Sequence, residues 1–366
     1  MKKVLLFLFV YVIAISGLLA QIKFVNEFLN VGVGARAHGM FGSVVASTHD
    51  ATAAYWNTAS LTQLNAPLSI SAMHANWFGG IANYDYFTIA KRLDKDQSSY
   101  GAISFIRMGV DNIPNTLNIV NPDGSIDFDK VTEFSAADYA FLLSYARTMG
   151  ADRKFAIGGN LKVIRRVIGT FGGAWGFGAD MSMHYKAGEH LQIGGTIRDI
   201  TTTFNTWSFN LTNEEKEVFQ KTGNDIPVSS TETTLPRLIA GVSYDGAMGK
   251  NFTYLVELDA NISSYGTKAG VLSGKNFSLD PSMGAEIGYS KTVFLRLGIG
   301  NLQRVLNEVN ANKRDFDFQP NVGLGLLLGR LKLDYALANV GNVSGAQASH
   351  IFSVSLDLSE KSSASQ

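Results

Sequence analysis

Trp175-Gly-Phe-Gly-Ala-Asp-Met-Ser-Met-His-Tyr-Lys186 carries two compositions on one stretch of chain. Trp175, Phe177, Ala179, Met181, Met183 and Tyr185 share one parity, and Gly176, Gly178, Asp180, Ser182, His184 and Lys186 share the other. Successive side chains of an extended strand point to opposite faces, so a strand here has one greasy face and one wet face. The same alternation recurs in about fourteen segments. They lie near 68–77, 84–93, 98–108, 134–148, 153–166, 174–186, 190–199, 233–245, 251–260, 282–289, 292–300, 320–329, 331–339 and 350–358. A soluble sandwich needs a few such strands; a chain built almost wholly of them predicts an all-β fold, a transmembrane antiparallel β-barrel spanning 68–358.

The joints support this. Those at 93–97, 149–153, 186–190, 245–250, 290–291 and 329–330 are tight, while 109–133, 167–174, 199–233, 261–281, 301–319 and 340–349 are longer and more polar. Short turns at one end and long loops at the other are the expected asymmetry of an outer-membrane barrel, with both termini on the periplasmic side. The first joint, 78–83, is short for an outer loop. The outer loop at 199–233 contains Thr212 and Glu215 at the spacing of a capping box, which predicts a short helix.

Composition fits the same architecture. Hydrophobic residues make up 46% of the chain and charged residues 17%, yet no apolar run after the first twenty residues approaches the ~18 needed for a spanning helix. Alternate placement in strands reconciles the two. Residues 1–20, with Lys2 and Lys3 before an apolar run and a small residue at Ala20, read as a signal peptide; 359–366 reads as a short polar tail. The net charge is zero, which gives no electrostatic case for nucleic acid, and with no cysteine there is neither disulfide nor thiolate chemistry.

The wet parity places Asp138, Lys162, Asp180, His184, Lys186, Arg237, Glu257, Asp259, Arg296, Lys332 and Asp334 in the lumen. Facing hydrocarbon at mid-bilayer, each lysine or arginine would cost about 2–4 kcal/mol, and the acids less. Both signs are present, so the lumen is expected to be cross-braced by ion pairs. Trp77, Trp175, Tyr185, Tyr244, Tyr254 and Tyr289 fall near strand ends, where an interfacial girdle belongs.

Sites of chemistry are not evident. Gly32, Gly34 and Gly39 have the wrong spacing for a dinucleotide loop, and Gly249-Lys250 lacks the rest of a phosphate loop. The six histidines form no metal-ligand pattern, and Ser182 with His184 has no visible acid partner. No enzyme activity, metal or cofactor is expected.

Residues 21–67 are unlike the rest: glycines at 32, 34, 39 and 42 precede Asp50-Ala-Thr-Ala-Ala-Tyr-Trp-Asn57, a short helix with Thr48 or Asp50 as its cap. We read this segment as a compact plug, with Gly32, Gly34, Arg36, Gly39, Gly42, Asp50 and Asn57 as its marker residues. Phe28-Leu-Asn-Val-Gly-Val-Gly-Ala-Arg-Ala-His-Gly-Met-Phe-Gly42 and the stretch to Asn57 resemble the start of the mature PorV/PorQ family, a Bacteroidetes branch related to FadL-type outer-membrane transporters. The resemblance is strongest over roughly 24–65. It departs at Phe41, where the family usually has Gly, and at Asn57-Thr58-Ala59, where the family has Asn-Pro-Ala. The resemblance implies a fourteen-strand FadL-like barrel and, for some members, work in type IX secretion. Secretion-machinery proteins or cargo C-terminal domains would then bind at outer loops 109–133, 199–233 and 301–319. The alternative is a FadL-like channel for hydrophobic small molecules, which requires an apolar pocket and a movable plug; Ile239, Phe294 and Leu327 are its candidate lining.

Overall fold

The computed structural model describes residues 25–119, 121, 125–264, 272–274, 277–306, 313–340 and 348–358. The expected signal peptide and the polar tail lie outside them. Seventeen strands form a single antiparallel sheet: β1 (Leu68–Trp77), β2 (Ala82–Arg92), β3 (Ser99–Asn115), β4 (Thr132–Met149), β5 (Phe155–Ile168), β6 (Gly172–Lys186), β7 (Leu191–Arg198), β8 (Thr203–Phe209), β9 (Thr231–Thr234), β10 (Arg237–Met248), β11 (Phe252–Ser263), β12 (Leu272–Ser273), β13 (Ser278–Tyr289), β14 (Val293–Leu306), β15 (Arg314–Leu328), β16 (Leu331–Ala338) and β17 (Ser349–Leu358). β1 pairs with β2 on one side and with β17 on the other, so the sheet closes. Fourteen strands make the barrel wall; β8, β9 and β12 are added at the long-loop end. No described helix is long and apolar enough to cross a membrane; the crossing is made by strands.

The opening stretch behaves as its alternation predicts. On β6, Trp175, Phe177, Met181 and Met183 are exposed on the outer wall, while Asp180, Ser182 and His184 are buried inside. Tyr185, Tyr244 and Tyr289 also face outward at the short-turn end. Trp77 does not join them: it lies on the inward parity of β1 and packs edge-on against His38 of the plug, with ring centroids 5.4 Å apart.

All fourteen expected segments are wall strands, but several run further than the alternation shows. β3 and β4 extend to Asn115 and from Thr132, consuming both ends of the expected 109–133 loop. Only residues 169–171 separate β5 from β6, so the expected 167–174 loop is a tight turn. Above an apolar belt both faces of a strand meet water, so the ladder continues where no hydrophobic period marks it. β8 pairs with this upper part of β6, through Gly172–Phe209 to Phe177–Phe204.

Residues 25–67 fill the lumen as short pieces: a 3-10 turn at Glu27–Asn30, α1 (Ala35–Gly39), α2 (Ala53–Trp56) and a 3-10 helix at Thr58–Gln63. Val33, Ala35, Met40, Val45 and Leu61 are fully buried. The helical start at α2 is preceded by an Asp50 turn, whose Oδ1 accepts the Thr52 N–H at 2.9 Å; Thr48 instead donates its hydroxyl to the Val44 carbonyl, so it is no cap.

Phe41 and Thr58, the two positions where the plug departs from the segment it resembles, each have a structural outcome. Phe41 sits at φ 54°, the left-handed region that suits glycine, with its ring against Gly300, which has no side chain to block it. Thr58 opens the 3-10 helix where proline would fit and hydrogen-bonds Asn160 of β5 at 2.8 Å. The plug also needs bare backbone on the wall. A methyl at Gly298 would collide with the Met40–Phe41 peptide, and one at Gly158 would lie 2.6 Å from the Ala59 nitrogen.

Gly298→Leu should therefore unseat the plug while the barrel stays closed, since such overpacking costs about 1–3 kcal/mol or more. Trypsin should then cut at the now buried Arg36 in a variant that still shifts on heating in gels. Full protection of Arg36 would refute this seating.

Candidate functional site

The lumen is organised as three charged clusters that grip the plug. In the first, Arg296 of β14 is fully buried; its Nε donates to Glu286 of β13 at 2.5 Å and its Nη1 to Asp334 of β16 at 2.7 Å. Arg36 of α1 reaches the same Glu286 oxygen at 3.1 Å. Lys332 lies 3.8 Å from Asp334 and 3.8 Å from Asp50 of the plug. Three cations and three carboxylates thus balance across the plug–wall boundary. Asp50 is opposed by burial, yet Lys332, Thr52 and Arg36 hold its carboxyl below the ordinary value.

The second cluster is acidic. Asp259 Oδ2 on β11 accepts the N–H groups of Val44 and Val45 at 3.1 and 3.2 Å. Glu257 accepts those of Ala46 and Ser47 at 2.6 and 3.1 Å. Four consecutive plug amides, the first of them also bonded to the Gly42 carbonyl, are therefore held by two wall carboxylates. His184 stands beside them with Nε2 3.1 Å from the Ala46 carbonyl, and Ser182 accepts the Ala59 N–H at 2.9 Å. These two residues are thus committed to the plug separately.

The third cluster lies on β5–β7. Lys162 bridges Asp180 at 2.7 Å and Asp199 at 2.5 Å. Arg198 lies over the Tyr55 ring at 4.2 Å and donates to its hydroxyl and to the Leu29 carbonyl, each at 3.0 Å. The cavity these residues line with Asn26 and Asn30 is about 20 Å³, room for a water. A larger hollow of about 750 Å³ is on the outer wall, lined by Leu324, Leu333, Phe352 and Val354.

Of the remaining marker residues, Asn57 donates to the Val45 carbonyl at 2.7 Å and to Met183 of β6 at 2.9 Å, tying plug to wall. Gly32, Gly34 and Gly42 have φ of 96°, 84° and 73°, and Gly39 packs its Cα on Gly323. Asp138 pairs with Arg166 at 2.8 Å, and Arg237 hydrogen-bonds Asn30. Lys186 differs from expectation: it stands at the strand end and is exposed. Ile239 is buried and Phe294 lies under the Arg296 guanidinium at 5.6 Å. Glu286 and Arg198 were missed, although each falls on the inward parity of an alternating segment. Among the described residues no group of three or more histidines and acids is arranged to hold a metal ion.

A closed, antiparallel fourteen-strand barrel with an apolar outer wall and a charge-braced, plugged lumen is an integral outer-membrane β-barrel. No protein-family model matches the chain, and no curated protein matches its sequence. Among solved structures it is similar to the CymD monoaromatic hydrocarbon channel, with 13% identity, a TM-score of 0.56, and 90% of this chain and 98% of that chain covered. It is also similar to the Pseudomonas putida toluene transporter TodX (11% identity, TM-score 0.56, 89% and 98% covered) and to a Pseudomonas aeruginosa FadL homologue (9%, 0.50, 89% and 98%). The fold is thus FadL-like, and that barrel is the common ground between these structures and the plug resemblance.

Two outcomes follow from the clusters. Arg296→Met should lower stability by roughly 3–5 kcal/mol, because Glu286 and Asp334 stay buried with less cationic cover. Asp334→Asn in the same chain should recover part of the loss; additive thermal shifts would show that the pair is not coupled.

The second concerns acid. Burial holds His38 down to about 4 from 6.5. Between those values the unfolded plug binds more protons than the folded one, so stability present above pH 6.5 is lost as pH falls towards 4. Protease protection of the plug should drop from pH 7.5 to 4.5 in the wild type and less in His38→Gln. An unchanged wild-type profile would contradict the assignment.

Proposed function

We propose that the chain is a FadL-like outer-membrane channel for hydrophobic small molecules, closed in the state described, with short turns and both termini on the periplasmic side. The observation that carries this reading is the plug. Residues 25–67 occupy the bore of a barrel whose fold extends over nearly the whole length of monoaromatic hydrocarbon and toluene channels. Beyond its chain connection to β1 at Leu68, the plug is held by ion pairs and hydrogen bonds around its circumference, and the glycine-lined wall gives it a smooth seat. Passage then requires the plug to shift, since residues 25–67 occupy the bore and the cavity that Arg198 and Lys162 line beside them has room for a water only.

A second reading, partner or cargo binding in type IX secretion, rests on the plug resemblance. Two features favour it: the plug occupies the bore, and the long-loop end is built up by β8, β9 and the exposed helix α3 (Asn213–Lys221). Its capping box is complete, Thr212 Oγ1 accepting from the Glu215 N–H at 3.2 Å and Glu215 accepting from the Thr212 N–H at 2.7 Å. The long-loop end over 109–133, 199–233 and 301–319, its strand ends included, is the proposed docking surface.

Uptake separates the two. Purified protein in proteoliposomes should admit radiolabelled toluene-like compounds slowly, and Glu257→Gln/Asp259→Asn, which weakens the grip on residues 44–47, should admit them several-fold faster. Uptake equal to empty vesicles for both proteins would sink the channel reading. Co-purification of secretion components from native outer membrane would then favour the second.

A further inference from the structure

One patch of the outer wall breaks the apolar rule. His74 of β1, Asp85 of β2, Arg107 of β3 and Tyr139 of β4 form one cross-strand row, all pointing outward. His74 Nδ1 lies 2.7 Å from one Asp85 oxygen, Arg107 Nη1 lies 3.3 Å from the other, and Tyr139 stands opposite Arg107 in the ladder. One step towards the long-loop end, Asn76 donates to Asn83 at 2.8 Å, and the Tyr335 hydroxyl meets His350 Nδ1 at 2.8 Å. The belt thus crosses six adjacent strands, β16, β17 and β1 to β4.

Its depth is what makes it unusual. His74 is six residues from the short-turn end of its strand. At the same remove, other strands present Leu258, Met283 and Ile299, all exposed on the outer wall. With roughly 2.5 Å gained per residue in a tilted strand, the charged centre of the belt, His74, Asp85 and Arg107, lies about 15–20 Å above the short turns, inside an apolar band about 25 Å tall. Above the belt the β1–β2 hairpin ends in Phe78 and Ile81, 52% and 65% exposed. The outward sequence is therefore apolar, polar, apolar. Lipid deep enough to cover the tip would bury the belt in hydrocarbon; a bilayer thin enough to free the belt would leave the tip in water.

We propose that a second copy of this chain covers this face. Two copies in one membrane share orientation and depth, so a two-fold axis parallel to the barrel axis sets belt against belt and tip against tip. The belt carries both signs and both donors and acceptors, so it complements its own copy. A different protein would need a matching polar row at the same depth.

The absence of cysteine allows a clean test in the full chain. Phe78→Cys, Asn83→Cys and, on another part of the wall, Leu258→Cys are treated with a short bis-maleimide in intact outer membranes. The first two should give a covalent dimer several-fold more abundantly than the third. Adding Asp85→Ala/Arg107→Ala to Phe78→Cys should lower that dimer about tenfold while the barrel still shifts on heating in gels. Equal yields at all three positions, monomer throughout, or an adduct of any other mass would overturn the proposal.

Discussion

Inside a bilayer no backbone N–H or C=O can be left without a partner, and the rest of this structure follows from that requirement. It forces the sheet to close on itself, which β1 does by pairing with β17 as well as β2. Closure at fourteen strands makes a bore too wide for the wall's own side chains, since about eight strands is the limit for that. Something else must fill it. The chain supplies its own residues 25–67, and those residues bring a second set of unpaired backbone groups into the interior. Asp259 and Glu257 face inward because they must satisfy the amides of Val44 to Ser47. The lumen charges are thus a consequence of the plug, and the plug a consequence of closure.

The same logic explains why the interior is rich in both charge and glycine. Where the plug presents amides or side-chain cations, the wall answers with carboxylates, as Glu286 does for Arg36. Where the plug presents folded backbone, the wall answers with glycine, as Gly298 does for Met40 and Phe41. Charge and bare backbone are two ways of meeting an irregular polypeptide at close range. A bore shaped to pass solute freely would need neither.

The strands were legible because hydrocarbon on one side and a polar interior on the other impose a period of two, and Trp175 to Lys186 shows it without interruption. Where that contrast vanishes, so does the signal. The upper parts of β3, β4, β14 and β15 stand with both faces wet and read as loops; β8 lies outside the alternating segments, and only the last two residues of β9 fall within one. The place of Trp77 at a strand end suits the girdle, but parity, the stronger constraint, turns it inward onto His38. The plug's marker residues were recognisable by resemblance, yet their partners were not. Nothing local in the sequence says that Arg36 meets Glu286 at a separation of 250 residues, or that Asn57 bonds Met183. Such contacts are set by the winding of the plug inside a closed wall, which no short window records.

Phe41 shows how far the closed state has been fitted to this particular chain. A glycine there would take a φ of 54° without strain, whereas phenylalanine takes it at an energetic disadvantage of roughly 1 kcal/mol. The side chain must therefore return at least that much, and it does so by laying its ring on Gly300 of β14, a position any larger residue would block. Thr58 makes a parallel exchange, giving up the fixed geometry of proline for a hydroxyl bond to Asn160. Both changes add contacts between plug and wall, one before and one after the stretch held by Asp259 and Glu257. Contacts of this kind stabilise only the seated plug and are lost as soon as it moves. Each one favours the seated plug, so unseating it in this chain takes more free energy than it would with glycine at 41 and proline at 58.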